Sequence, residues 1–106
     1  MNNKLNHEHV GMGGDPEFVN LALKFVYGAD SKVISDNCVA VVQTHLGTSG
    51  LRVFGELLKT QGNHSHIYVP SPTWGNHIPI FQNAGLEVRK YRYYDPSSSK
   101  LDFDNL

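Results

Sequence analysis

Residues 39–59, VAVVQTHLGTSGLRVFGELLK, leave this chain few ways to fold. Val39, Ala40, Val41 and Val42 form a short, continuous apolar run rich in β-branched residues, the pattern of a strand covered on both faces. Polar Gln43, Thr44 and His45 end that run. Leu46, Gly47, Thr48, Ser49 and Gly50 then permit a tight turn, and the two hydroxyls suit the unsatisfied amides at a helix start. Leu51, Phe54, Gly55 and Leu58 recur at the spacing of one helical face, with Gly62 as a stop after Lys59 and Thr60. A strand, a loop of small residues and a helix together aim free N–H groups and the positive helix end at an anion. Two readings stay open at this level, a phosphate seat and ordinary capping chemistry. The loop has neither the Gly-Lys-Ser/Thr ending of a Walker loop nor dinucleotide-fingerprint spacing.

Upstream, Asp15 is placed to cap a helix, Pro16 suits its first position and Glu17 its positive end. Phe18, Leu21, Ala22, Phe25 and Val26 repeat at helical spacing, so an amphipathic helix ending at Gly28 is predicted. Residues 30–37 read as a polar connection. Downstream, residues 66–69 form a second short strand that Pro70 terminates. A loop with the chain's one tryptophan, Trp74, follows. Ile78, Ile80, Phe81 and Ala84 suggest a short helix that Gly85 ends. Residues 86–94 alternate as a third strand, and residues 95–99 as a turn. The expected architecture is α/β, about three strands alternating with helices.

The 106 residues are enough for one domain or part of one, and 40% hydrophobic content makes a folded core feasible. A net charge of −1 provides no basic field for nucleic acid or an acidic membrane surface. No apolar run approaches membrane-spanning length, and the first ten residues have no apolar centre of a secretory signal, which points to a cytoplasmic protein. The single cysteine, Cys38, excludes an internal disulfide and reads as a small apolar residue before the first strand. His64 and His66, like His7 and His9, sit at alternate positions, but no cysteine pair or carboxylate completes a ligand set, so no metal site is expected. Asp102 and Asp104 announce a helix for which too few residues follow, so the sequence reads as cut.

Three stretches carry a resemblance to a known family: GGDPEFVNLALKFVYG at 13–28, VVQTHLGTSGLR at 41–52 and VPSPTWGNHIPIFQNAGLEVRKYRYYDP at 69–96. Together, and in this order, they resemble the large domain of the aspartate aminotransferases, fold-type I enzymes that use pyridoxal phosphate. The resemblance implies a partial three-layer α/β/α large domain over residues 13–106; residues 1–12 diverge from it, and their polar, Asn- and His-rich start reads as disordered. The resemblance also implies that Leu46, Gly47 and Thr48 grip the cofactor phosphate, Leu46 through its amide alone because the family's usual residue there is Ser. Trp74 matches the indole that stacks on the cofactor ring and meets the substrate's side-chain carboxylate. Asn76 and His77 match the group behind it, with His77 supporting the aspartate that pairs with the ring nitrogen.

The family's Schiff-base lysine, that aspartate and the arginine that holds the substrate α-carboxylate lie beyond the matched stretches. Lys4, Lys24, Lys32, Lys59, Lys90 and Lys100 do not occupy the lysine's place. The resemblance thus implies a homodimer family exchanging amino groups between L-aspartate and 2-oxoglutarate, with these residues inactive alone. An alternative is a non-catalytic phosphate-pocket or interaction module that associates with a full-length subunit. The family's sheet order further implies that residues 66–69 and 86–94 are neighbouring strands, while residues 39–44 lie apart from both.

Overall fold

The computed structural model describes residues 8–105, which divide into two compact units, one reaching Thr44 and the other starting at His45. Of the segment 1–12 expected to be disordered, residues 1–7 lie outside the described residues, as does the His7 half of one histidine pair.

In the first unit the anticipated helix α1 spans Pro16–Tyr27. Its start is built as the sequence indicates: the Asp15 carboxylate accepts from the amides of Glu17 and Phe18 at 2.9 and 3.0 Å. Each bond satisfies a donor that has no carbonyl in the helix to receive it. At the other end Gly28 has φ 87° and donates to the Lys24 carbonyl, a conformation that a side chain would oppose. The apolar stripe is present but uncovered: no residue of α1 is buried and Phe25 is 91% exposed. Within the polar connection, Lys32–Ser35 forms one helical turn, α2.

The strand expected at residues 39–44 does not form; the backbone there is irregular, and Val41 and Val42 are exposed. The physical reason lies in hydrogen bonding. A strand is defined by its neighbour, and the described residues of this unit contain no second strand to take its amides and carbonyls. The segment is instead tied to the start of α1, with Gln43 N donating to the Gly13 carbonyl at 3.0 Å and Gln43 Oε1 accepting from Asp15 N at 2.8 Å. Gly14, φ 91°, lies so close to Gln43 that a side chain there would collide with it. Cys38, read as a small apolar residue before a buried strand, is exposed.

The second unit has a layered core. Helix α3 (Gly47–Thr60) precedes strand β1 (His66–Ser71), helix α4 (His77–Asn83) and strand β2 (Glu87–Arg92). The two strands pair in parallel, His66 opposite Glu87 through Ser71 opposite Arg92, so the neighbours implied by the family resemblance are neighbours here. β1 runs through Pro70 rather than stopping before it. Among the described residues β1 has one strand partner, leaving an edge where the missing proline N–H breaks no ladder. Val69, Phe81, Ala84 and Leu86 are buried, and Leu51, Leu58, Ile67 and Val88 pack around that cluster. Gly55 lets α3 approach α4, since a Cβ there would stand 2.9 Å from Ala84 Cβ.

Beyond β2 the turn at residues 95–99 closes a small antiparallel ribbon, β3 (Tyr94–Asp95) with β4 (Lys100–Leu101). The Asp95 carboxylate accepts from Ser98 Oγ, Ser97 Oγ and Ser97 N, which holds its pKa down at about 2. The helix announced near Asp102 and Asp104 is present as one 3-10 turn, Phe103–Asn105. Arg92 Nη2 meets Asp102 Oδ2 at 2.7 Å just before it.

Candidate functional site

Every sequence-predicted site residue lies in the second unit, on two short segments. The first is the start of α3. The helix begins at Gly47, and its first backbone bond within the turn runs from Gly50 N to the Leu46 carbonyl at 3.0 Å. The amides of Gly47, Thr48 and Ser49 therefore have no helical carbonyl to bond and emerge at the positive end of the helix. Gly47 has no left-handed backbone, and a Cβ placed on it would meet nothing within 4 Å beyond its chain neighbours and its own helix backbone. Nothing inside the unit thus requires glycine there. Its bare Cα leaves open space beside the emerging amides, the kind of approach a phosphate needs.

The Leu46 amide, expected at the phosphate, is engaged within the turn. It donates to Ser49 Oγ at 2.9 Å, and the same hydroxyl donates to the Leu46 carbonyl at 2.8 Å. Ser49 thereby secures the helix start, a role the sequence reading left to either hydroxyl of the loop. Thr48 is exposed.

The second segment leaves β1 through a cis Ser71–Pro72 bond and enters α4 at His77. Trp74 is half exposed, at 50%. Its carbonyl accepts from His77 N at 3.0 Å, closing a turn that brings the two side chains together. Their rings meet edge to face, centroids 5.3 Å apart at 84°. Behind them Thr73 Oγ1 lies 2.7 Å from His77 Nδ1, a bond that leaves Nε2 for another partner. Asn76 precedes the helix without a side-chain capping bond. Sequence reasoning singled out Trp74, Asn76 and His77 but missed Thr73. The only signal available was a hydroxyl four residues before a histidine at a helix start.

Among the described residues no group of three His, Cys, Asp or Glu side chains could hold a metal ion. No described helix is long and apolar enough to cross a membrane.

A helix start with open amides and a half-exposed indole in contact with an imidazole are the two features of these segments. The comparisons define the class. The family model for aminotransferase class I and II matches residues 2–106, and the chain belongs to that family. It is 48% identical over 99 residues to the cytoplasmic aspartate aminotransferase of Oryza sativa subsp. japonica, covering 93% of this chain and 24% of that protein. Aspartate aminotransferases of Arabidopsis thaliana named as cytoplasmic, chloroplastic and mitochondrial are 46, 44 and 41% identical.

Among solved structures, the aspartate aminotransferase from Saccharomyces cerevisiae cytoplasm superposes with a TM-score of 0.90 at 30% identity, over 97% of this chain and 25% of that one. An aromatic-amino-acid aminotransferase from Burkholderia pseudomallei, described as covalently bound to pyridoxal phosphate, gives 0.89 at 29% identity, over 95% and 25%. The chain thus spans about a quarter of the length of the relatives it matches.

Proposed function

We propose that this chain carries the phosphate-gripping and ring-facing part of a pyridoxal phosphate site for amino-group transfer between L-aspartate and 2-oxoglutarate. The observation that carries this reading is Gly47: a first-turn helix glycine with open space beside its Cα, next to amides that have no helical acceptor. When bound, pyridoxal phosphate supplies the electron sink on which aminotransfer depends. The Gly47 and Thr48 amides, with the Thr48 hydroxyl, hold its phosphate, and Leu46 and Ser49 fix the turn that presents them. Trp74 offers its indole face to the ring, and its N–H to a substrate carboxylate. Asn76 and His77 stand behind that face, His77 with Nε2 available to the carboxylate that would pair with the ring nitrogen.

These residues hold and orient; the transfer also needs a lysine that binds the cofactor and moves the proton at the substrate Cα. None of the chain's six lysines lies in a stretch matching that position, so the 106 residues do not complete the reaction by themselves. Amino acids and 2-oxo acids are the substrates of the assembled enzyme, and a second subunit is its partner. The cytoplasm is its compartment, a reading supported by 48% identity to the rice cytoplasmic relative against 41% to a mitochondrial one.

The test is a titration with pyridoxal phosphate read through the emission of Trp74, the one tryptophan. Saturable quenching that inorganic phosphate reverses is expected; its absence contradicts the site. Borohydride reduction of the mixture should label no lysine stoichiometrically, and one lysine fully labelled would contradict the proposed inactivity.

A second reading, association with a full-length subunit, is favoured by the uncovered stripe of α1, where Phe18, Leu21, Phe25 and Val26 are all exposed. Mixing the chain with a full-length aspartate aminotransferase should then raise helical circular dichroism beyond the sum of the parts. No gain and no co-elution would count against it.

A further inference from the structure

We propose that Thr73 is a positioning residue whose hydroxyl fixes the imidazole of His77 and, through it, the plane of the Trp74 indole. The inference concerns how the indole is aimed, and its use toward a cofactor rests on the reading of Trp74 given above.

The torsions that turn an imidazole about its Cβ–Cγ bond are broad and weakly staggered, so a half-exposed ring has no well-defined plane unless something holds it. Here two contacts in series do so. Thr73 Oγ1 meets His77 Nδ1 at 2.7 Å, and the imidazole meets the indole at 84° with centroids 5.3 Å apart. The backbone supplies the proximity, because His77 N donates to the Trp74 carbonyl at 3.0 Å. The hydroxyl supplies the angle. An edge-to-face pair is attractive only over a limited range of interplanar angles, so an imidazole free to turn would release the indole with it.

Helix capping does not account for the hydroxyl. The residue before α4 is Asn76, and no side-chain cap bond is made there. Among the described residues the imidazole is the aromatic ring that meets the indole, and the Thr73 hydroxyl holds the imidazole.

The near-UV circular dichroism of the full chain, without cofactor, reads this directly, because its tryptophan band comes from Trp74 alone. Thr73→Val keeps the shape and removes the hydroxyl; the band should fall to less than half, with the far-UV spectrum unchanged. Thr73→Ser, which restores the hydroxyl, should return it. His77→Phe keeps a ring without an Nδ1 and should behave as Thr73→Val does. In the wild-type chain, nuclear Overhauser contacts between the imidazole and indole protons should be present whatever the variants do. A full band in Thr73→Val, no recovery in Thr73→Ser, or absent ring contacts in the wild type would each overturn the proposal. If Trp74 is not a cofactor-facing residue, pyridoxal phosphate quenching fails while the Thr73 effect persists, which separates the two claims.

Discussion

Ser49 and Leu46 hold each other at the start of α3: the hydroxyl of Ser49 receives the Leu46 amide at 2.9 Å and donates to the Leu46 carbonyl at 2.8 Å. The N-cap position is occupied by leucine, whose side chain has no oxygen to offer the helix. The capping chemistry has moved three residues into the helix. A reciprocal arrangement of this kind keeps the turn closed while the next amides remain outward.

Ser49→Ala removes both bonds at once. By analogy with the loss of a helix cap, the unfolding free energy should fall by about 1 kcal/mol. A urea unfolding curve followed by far-UV circular dichroism measures it, and an unchanged midpoint would show that the Leu46 turn holds without the hydroxyl.

Gly55→Ala sets two effects against each other. Alanine in a helix interior gains about 1 kcal/mol over glycine. The added methyl would come within 2.9 Å of Ala84 Cβ and 3.3 Å of Phe81 Cδ1 in the core, and overpacking of this kind costs about 1–3 kcal/mol. Packing should win, lowering the urea midpoint; a raised midpoint would mean that α3 and α4 separate at little cost.

The Asp95 carboxylate has a pKa of about 2 in the ribbon, below its ordinary 3.8, first because of the Ser98 hydroxyl and then the Ser97 hydroxyl and amide. A depressed carboxylate contributes stability that is fully present above the unfolded pKa and lost as pH falls through the folded one. The β3–β4 ribbon should therefore be unaffected above pH 3.8 and loosen as pH drops toward about 2. Carboxyl chemical shifts of Asp95 followed by nuclear magnetic resonance would show the midpoint, and Asp95→Asn should remove the pH dependence of the Ser97 amide. A midpoint at 3.8, the ordinary value, would contradict the bonded turn.

The sequence disclosed those parts whose cause is local. The Asp15-Pro16-Glu17 start, the Gly28 end, the face of α4 and the existence of α3 and β2 all depend on neighbours a few positions away, and the structure has them, whereas Phe54 of the expected α3 face is exposed and burial along β2 does not alternate past Arg89, with Lys90 exposed and Tyr91 partly buried. Residues 39–44 fail for the opposite reason: β-branched composition makes a strand feasible, while only a neighbouring ladder makes it real. The β3–β4 ribbon is too short, at two residues a side, to leave a periodic trace. In the site, the small residues around Gly47 and the setting of Trp74 were legible. The engagement of the Leu46 amide and the Thr73 bond to His77 were not, because side-chain pairing within a turn depends on rotamers that sequence spacing does not specify.

Gly47→Val offers the sharpest discrimination. A Cβ at this position meets nothing within 4 Å beyond the chain neighbours and the helix's own backbone, and the backbone is not left-handed, so the far-UV spectrum and urea midpoint should stay close to those of the wild type. Calorimetric titration with pyridoxal phosphate, and with pyridoxal lacking the phosphate, should show the phosphorylated form binding the wild-type chain more tightly. Valine should weaken that binding at least tenfold, about 1.4 kcal/mol. Equal affinity of the two chains for pyridoxal phosphate, or of the wild type for the two ligands, would contradict a phosphate seat at the start of α3.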